Sequence, residues 1–565
     1  MKKERIAVLE IVKKAKKIKD INSHQLNKIK KAVSKKYKLN KIMTNIEILT
    51  YLTDYELKRY KKMLITKPTR TISGVAVVSI MAMPLGCPHG KCIYCPGGIN
   101  SSFGSVPQSY TGKEPATMRA IRNNYDPYLQ IMNRLEQYVV IGQIPEKVEL
   151  IIMGGTFPAY PKNYRDNFIY YCYKAMNDFS RLFYKTGELE IAKFKKFFEL
   201  PGSVDDKERA ESVKEKLRRE KEKYTKTLKR EQEINENSKI KCVGLTIETR
   251  PDWGRLDIGI DMLRYGTTRI ELGVQTVYNN VLKRISRGHT ILDTENSIRE
   301  LKDLGFKLNF HLMPGLPKTS KRKDIRGMKK IFTDPRFKPD MVKIYPTMVY
   351  PGTKLHEFYK KGRFKPIRMD KATEIITEFK RITPRYCRIM RLQRDIPTKY
   401  GEGVERNNLR QYVEAYMKKK NLVCNCIRCR EIKRDKIEEP IEYEIIEYEA
   451  SGGKEFFISL KDGNDKLLGF VRLRFPGQFL RKEITPKSAL IRELHVYGTA
   501  ASIGKKGKIQ HKGFGKQLME KAEEIALKNG KDKLVVISGV GVRGYYKKLG
   551  YSLEGPYTTK KIAEI

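Results

Sequence analysis

The sequence predicts an α/β chain with a basic helical start, a central series of parallel β/α units, a cysteine-rich linker and a second, smaller α/β domain. Three observations predict it. Short apolar runs alternate with amphipathic helices from about residue 75 onward, the pattern of strands covered on both faces. Two tight cysteine groups, Cys87/Cys92/Cys95 and Cys424/Cys426/Cys429, mark points where metal ligation rather than apolar packing holds the chain. Late in the sequence the glycine loop QHKGFG opens a helix, and backbone N–H groups at such a start make an anion nest.

Taken in order, residues 1–74 form the basic region. Residues 1–70 hold 21 Lys/Arg against 6 Asp/Glu, a local net charge of +15. Val8, Ile11 and Val12, then Leu26, Ile29 and Val33, recur at helical spacing. The spacing predicts two or more short helices that present lysines to phosphate. Residues 75–385 carry the strands VAVVSIMAM, VELIIMGG, CVGLTIETRPD, TRIELGVQ, KLNFHLMPGLP and MVKIYPTMVYPGT. Strand-then-helix repetition of this kind predicts a barrel. Residues 203–240 interrupt it with alternating charge, read as a solvated helical insertion with i,i+4 pairs. Residues 386–440 form the linker. Residues 441–565 resume the α/β pattern, with strands near EFFISL, LLGFVRLRF, ALIRELHVYG and KLVVISGV and a helix near GKQLMEKAEEIALKNG.

A chain of 565 residues exceeds one hydrophobic core. Its 115 Lys/Arg outnumber 65 Asp/Glu, giving a net charge of +50 and implying a polyanionic partner. No apolar run of about 18 residues predicts a membrane helix, and the lysine-rich N-terminus lacks the pattern of a signal peptide. A cytoplasmic protein without a membrane partner is therefore expected, whose nine cysteines serve as metal ligands or reduced thiols.

Cys87, Cys92 and Cys95 stand in the loop LGCPHGKCIYCPGG. Three thiolates on one tight loop suit an inorganic cluster, whereas a structural zinc normally takes four protein ligands. The next cysteine, Cys172, lies in an amphipathic helix far along the chain. Three ligands to a 4Fe–4S cluster leave one iron open, which is what chelation and cleavage of S-adenosylmethionine (SAM) requires. His89, inside the loop, reads as structural or proton-handling. In the linker, Cys424, Cys426 and Cys429 follow C-x-C-x2-C, which suits tetrahedral zinc with Cys387 as the fourth ligand. Arg388, Arg391 and Arg394 nearby can meet phosphate.

The segments CPHGKCIYCPGG and PQSYTGKEPATMRAIRNNYDPYLQ resemble the catalytic subunit of Elongator in its archaeal form, a family joining a radical-SAM domain to a GNAT-type acetyltransferase. The resemblance covers about residues 75–565, and the basic N-terminal region matches in character. It implies a radical-SAM partial β/α barrel plus a GNAT-type α+β domain, with a basic helical N-terminal region and a zinc-binding linker. The cysteine loop has one residue more than the usual C-x3-C-x2-C. By resemblance, Gly154, Gly155 and Thr156 hold the SAM amino group, although Thr156 stands where many relatives carry an acid. Glu248 and Glu271 end later strands and are candidates for SAM or substrate contact. Lys147 is expected to touch acetyl-CoA within the barrel, and Lys343 to be a second charged group in its cavity. In the GNAT part, Glu493, Leu494, His495 and Val496 are expected to pair with the pantetheine arm. Gln510, Lys512, Gly513, Phe514, Gly515 and Lys516 are expected to hold the pyrophosphate. Tyr545 or Tyr546, with Tyr546 preferred, is the expected general acid toward the thiolate.

The implied activity is carboxymethylation of carbon 5 of the wobble uridine of tRNA. A 5′-deoxyadenosyl radical from SAM takes hydrogen from the methyl of acetyl-CoA, the carbon radical adds to the base, and the thioester is hydrolysed. Expected cofactors are a 4Fe–4S cluster, SAM, acetyl-CoA as co-substrate and Zn2+. Expected partners are the tRNA anticodon stem-loop and an electron donor; the sequence leaves a homodimer open. The alternative is a protein lysine acetyltransferase with a structural cluster, against which stand the open iron and a surface that repels basic substrates.

Overall fold

The computed structural model describes residues 2–18, 21–39, 41–64, 73–202, 206–498 and 513–563. The chain divides into two compact units.

The first unit gathers residues 1–76, 128–148 and 170–241. It opens with α1 (Lys2–Lys16), α2 (Ser23–Lys36), α3 (Asn45–Tyr51) and α4 (Asp54–Leu64). Val8, Ile11, Val12, Leu26 and Val33 are buried together with Ile48, Leu49 and Leu52, and Ile29 packs against them. The predicted stripe is therefore the core, and Lys13, Lys16, Lys28, Lys31 and Lys35 are exposed. Capping boxes fix two starts: Asn22 with Gln25 at α2, and Thr44 with Glu47 at α3. The unit also takes α5 (Pro127–Val140) except its first residue, the second half of α6 (Lys162–Phe183), α7 (Lys207–Glu222) and α8 (Leu228–Asn237). The N-terminal helices fall in a unit whose first segment runs to residue 76. The segments 128–148 and 170–241, expected in the central domain, instead cluster with those helices. The 203–240 insertion is helical as expected but not wholly solvated, because Val213 and Leu217 are buried. Arg209 of α7 donates from Nε to the Phe198 carbonyl at 2.9 Å and pairs with Glu136 of α5.

The second unit holds the remainder. Its first sheet has seven strands whose spatial order follows the chain: β1 (Val75–Met81), β2 (Lys147–Met153), β3 (Lys241–Thr249), β4 (Arg269–Gln275), β5 (Lys307–Leu312), β6 (Met341–Ile344) and β7 (Arg388–Arg391). Pairings from β3 through β7 are parallel. The sheet ends at β1 and β7 rather than closing, which is the expected partial barrel. The strand β7 comes from the segment read as linker.

The second sheet contains β8 (Glu442–Ala450), β9 (Gly453–Lys461), β10 (Leu467–Phe475), β11 (Ser488–Val496), β12 (Lys533–Val536), β13 (Ser552–Glu554) and β14 (Tyr557–Lys561), in the order β8-β9-β10-β11-β12-β14-β13. Neighbours are antiparallel except β11 and β12, which are parallel. Before β13 come α11 (Phe514–Lys528) and α12 (Arg543–Lys547). Buried ion pairs bind this sheet to the barrel. Arg492 of β11 grips Asp340, which precedes β6, through contacts of 2.7 Å from both terminal nitrogens. Arg474 of β10 donates from Nε to Asp303 at 2.8 Å.

Candidate active site

The cysteine loop lies where barrel sites are built, near strand C-termini. Cys92 and Cys95 are buried and Cys87 is partly exposed. Their sulfurs do not share the 4.8 Å mutual spacing seen for Cys424, Cys426 and Cys429. The wider set fits a multi-iron cluster better than a single ion. Ser109 N–H donates to the Cys95 sulfur at 3.2 Å, and Arg287 reaches the Cys92 sulfur at 3.7 Å while bonding the Gly273 carbonyl at 2.9 Å. His89 Nε2 stands 3.3 Å from the Cys92 sulfur. Burial, then Cys92, pushes the Cys95 thiol up to about 11. Buried donors around the loop lack partners: Arg250 Nη1 and Arg287 Nε. Burial beside Arg287 and Arg250 pushes His289 down to about 2. Arg250 is held by Asp252 at 2.6 Å and Arg287 by Gly273, yet each keeps one buried N–H unsatisfied beside three thiols, which suits an anionic cluster and a carboxylate-bearing ligand. Arg250 stands in the segment ETRPD at the end of β3, where the sequence leaves a buried Arg between an ion pair and a SAM or substrate contact, and it pairs with Asp252 at 2.6 Å; Arg287 and His289 were not singled out, their only signal being the segment SRGHT before a helix.

Gly154 and Gly155 turn the chain out of β2 with φ of +132° and +90°. A Cβ on Gly155 would lie 3.1 Å from the Gln108 Cβ, and one on Gly154 would lie 3.2 Å from that of Ala82. Thr156 is buried beside them, with its hydroxyl at the Cys87 thiol. Of the three, Thr156 thus reaches the cysteine loop directly, and Gly155 packs on Gln108, whose Oε1 lies 3.0 Å from the Cys95 sulfur.

The two glutamates are register partners on β3 and β4, and their carboxylates lie within 4.8 Å of each other and of His311, but they take different partners. Glu248, at the end of β3, accepts from the Tyr110 hydroxyl at 2.8 Å. Glu271 is fully committed within the barrel. Its Oε2 takes His311 at 2.8 Å and Lys343, and its Oε1 takes Asn309 at 3.2 Å. Against burial, Lys343 and His311 hold Glu271 well below the usual carboxylate range. Glu271 is therefore an internal counter-ion that positions Lys343 rather than a free cofactor contact. Lys147 is the first residue of β2 and Gly154 follows its last. At about 3.3 Å per residue the two stand at opposite ends of the strand, roughly 23 Å apart. Arg394 lies 5.2 Å from the Tyr110 ring centroid and bonds the Ser109 carbonyl. Arg388 is paired with Glu431 at 2.8 Å and is not offered to phosphate.

In the second sheet β11 and β12 pair only from Ser488↔Lys533 to Ile491↔Val536. Beyond that point Glu493, Leu494, His495 and Val496 keep β10 on one side only. Among the described residues this leaves strand backbone to which an amide-bearing arm can pair. The Glu493 carboxylate is bound to Arg472 at 2.9 Å. Burial holds the neighbouring His495 below the ordinary imidazole range. Gly513 caps α11 in the left-handed region at φ +87°, with Phe514 and Gly515 opening the helix. Gln510 and Lys512 lie outside the described residues. Lys516 is exposed and 3.4 Å from Glu520. A Cβ on Gly515 would meet the Tyr545 hydroxyl at 2.7 Å, which places Tyr545 over the helix start. Tyr546 is buried, and its phenol is raised by burial and then by Tyr545 and Glu493.

In the linker Cys424, Cys426 and Cys429 converge within 4.8 Å. The Cys424 and Cys429 thiols favour the Cys426 thiolate and bring it down to about 2. Cys387, expected as fourth ligand, leaves its sulfur outside that group; its carbonyl accepts from Ile427 N–H at 3.0 Å.

The chain matches the ELP3 N-terminal domain over residues 5–72, the Radical SAM superfamily over 212–326, the Radical_SAM C-terminal domain over 339–419 and the Acetyltransferase (GNAT) family over 425–551. It is 44% identical to a tRNA uridine(34) acetyltransferase of Methanocaldococcus infernus over 99% of both chains. It is 38% identical to Elongator complex protein 3 of Homo sapiens, covering 95% of this chain and 93% of that one. The solved structure of the archaeal Methanocaldococcus infernus Elp3 with an N-terminal deletion is 40% identical, covers 87% of this chain and 100% of that one, and superposes with a TM-score of 0.71. The cysteine loop, glycine turn and splayed GNAT strand thus occur in a chain that belongs to the family of tRNA uridine(34) acetyltransferase and Elongator complex protein 3, radical-SAM enzymes with an acetyltransferase domain.

Proposed function

We propose that this enzyme uses SAM and acetyl-CoA to place a carboxymethyl group on carbon 5 of the wobble uridine of tRNA. The observation that carries the reading is the pairing of two chemistries in one compact unit. The three-cysteine loop, with Arg250 and Arg287 each keeping one unsatisfied buried N–H beside it, lies in the barrel. The open edge of β11 lies in a sheet clamped to that barrel through Arg492 and Asp340. A 4Fe–4S cluster held by Cys87, Cys92 and Cys95 supplies one-electron cleavage of SAM to a 5′-deoxyadenosyl radical.

The chain's own groups do the remaining work. Gly154 and Gly155 let the backbone approach the SAM amine, and Arg250 and Arg287 take the carboxylate and the cluster's negative charge. Glu271 keeps Lys343 charged and fixed on the barrel interior, where the ammonium can meet a developing enolate or carbonyl oxygen. The β11 edge pairs with pantetheine, and the start of α11 takes the pyrophosphate. Tyr546 Oη gives its proton to the departing thiolate. Zinc held by Cys424, Cys426 and Cys429 fixes the linker between barrel and second sheet. The exposed lysines of α1 and α2 hold tRNA phosphates. A reducing cytoplasm suits this chemistry, and all nine cysteines are free. An electron donor must accompany the enzyme.

The test measures tRNA-dependent formation of 5′-deoxyadenosine and release of CoA by the anaerobically reconstituted protein. Cys92→Ala is expected to abolish the first, and the Gly513→Asp/Gly515→Asp variant the second. SAM cleavage and tRNA binding with no change in any tRNA nucleoside would defeat the reading.

A further inference from the structure

We propose that the outer flank of the cysteine loop is the docking face for an acidic one-electron carrier protein, a proposal that rests on the cluster assignment above. The loop is packed between two short helices, α9 (Asn279–Arg284) and α10 (Lys354–Lys360). Val281, Leu282, Ile285 and Leu355 form one buried apolar group with Cys92, Ile93, Tyr94 and Cys95. The inner side of the loop faces Arg250, Arg287 and the SAM glycines. These helices pack on the loop from its other side, together with Leu316 and Val349.

Their exposed faces, with the start of the loop, carry Lys91, Lys283, Arg284, Lys354, Lys360 and Lys361. None of the six makes an ion pair among the described residues, whereas basic residues elsewhere on the chain are widely paired, as in Lys36–Glu10, Lys162–Asp166 and Lys321–Glu374. Residues 276–290 contain no Asp or Glu, and Glu357 is the single acid of α10. Arg284 lies 5.0 Å from the Phe358 ring centroid, which joins the two helices into one surface. An uncompensated positive face of this kind attracts an acidic partner and speeds its arrival.

The face is also wired to the ligands. Leu355 N–H donates to the Ile93 carbonyl at 2.8 Å, and Ile93 N–H donates to the Ile285 carbonyl at 3.1 Å. Ile93 is bonded directly to Cys92. One hydrogen bond and a few covalent bonds therefore connect the first turn of α10 to a cluster ligand, a short route for electron tunnelling. The apolar wall of Val281, Leu282, Ile285 and Leu355 separates this face from the barrel interior. A macromolecule seated there reaches the edge of the cluster but not the reacting base, which favours a redox protein over RNA. The step moves one electron from the reduced carrier to the oxidised cluster, oxidising the carrier; no bond or proton is exchanged.

The test uses the full-length protein and a plant-type 2Fe–2S ferredoxin, a small acidic low-potential carrier. The variants are Lys283→Glu/Lys354→Glu/Lys360→Glu and the milder Gln triple. Three things are measured: ferredoxin affinity for the apo-protein by calorimetry, the rate of cluster reduction by ferredoxin, and tRNA affinity. Photoreduced neutral 5-deazaflavin serves as a small reductant. Charge steering predicts roughly tenfold or greater loss of ferredoxin binding and reduction rate in the Glu variant at low salt. It also predicts a smaller loss in the Gln variant, with unchanged deazaflavin reduction and tRNA affinity. Weakened tRNA binding with unchanged ferredoxin kinetics would make the face an RNA surface and overturn the proposal, as would no change in either. If the wild-type chain assembles no cluster, the cluster reading fails, while the apo-protein affinities still decide whether the face binds an acidic carrier.

Discussion

Replacing Arg492 with Met removes the central clamp between the barrel and the acetyltransferase sheet. Asp340 is fully buried and takes contacts of 2.7 Å from two nitrogens of Arg492, with Arg472 next at 3.6 Å. Glu455 loses its 3.3 Å partner in the same change. Breaking a buried pair from one side costs about 3–5 kcal/mol because the other charge stays desolvated. For a cooperative unit of 150–250 residues this lowers the melting temperature by roughly 6–20 °C. Asp340→Asn keeps an acceptor for the Leu308 N–H, which Asp340 binds at 2.8 Å, while removing the charge. The double variant Arg492→Met/Asp340→Asn is therefore expected to be less destabilised than the sum of the singles, by about 0.5–3 kcal/mol. Scanning calorimetry and urea unfolding of all four proteins measure the cycle. Strict additivity, or an Arg492→Met protein as stable as the parent, would refute the argument that this pair is coupled.

Acid should act on the same junction. Against burial, Arg492 and Lys302 bring Asp340 from 3.8 to about 2, so its contribution is complete above the ordinary carboxylate range and is lost as pH falls toward 2; the wild type should destabilise over that window more steeply than Asp340→Asn, read by melting temperature against pH. Gly155→Ala forces a side chain into φ +90° with its Cβ 3.1 Å from that of Gln108, a strain of about 1–3 kcal/mol, and should weaken SAM binding about 5- to 150-fold in calorimetry without bleaching the cluster spectrum. Tyr546→Phe should lower the turnover of acetyl-CoA hydrolysis about 100-fold or more, whereas Tyr545→Phe, at the start of α11, should act mainly on KM. Cys426→Ser should release zinc measured by mass spectrometry of the metal content, while leaving SAM cleavage in place.

Much of the arrangement can be read from the chain because its signals are local. The apolar stripe of Val8, Ile11, Val12, Leu26 and Val33 is a core because helical spacing leaves those side chains on one face. Gly154, Gly155 and Gly513 could be singled out because sharp turns at strand ends and helix starts favour glycine. What escaped depends on distant neighbours. β7 is four residues, RIMR, with no apolar run to mark it, and becomes a strand only because β6 offers it an edge. Glu248 and Glu271 look alike in sequence. Parallel register places Glu271 beside Asn309 of β5 and brings Lys343 of β6 opposite His311, so Glu271 meets internal donors while Glu248 meets Tyr110. Cys387 shares a cysteine-rich segment with the linker thiols, yet it precedes β7, and hydrogen bonding through its carbonyl leaves the sulfur elsewhere. Arg287 and His289 carry no motif of their own and matter because their loop meets Arg250 and the cysteine loop.

The most direct test follows the acetyl carbons into RNA. The reconstituted enzyme is incubated anaerobically with dithionite, SAM, acetyl-CoA labelled with carbon-13 in both acetyl positions, and a tRNA bearing an unmodified wobble uridine, and the nucleosides are weighed by mass spectrometry. The account predicts a carboxymethyluridine at that position carrying both labels, absent with Cys92→Ala and with Tyr546→Phe greatly slowed. An unlabelled product, or labelled acetyl-lysine on protein with an unchanged tRNA, would contradict it.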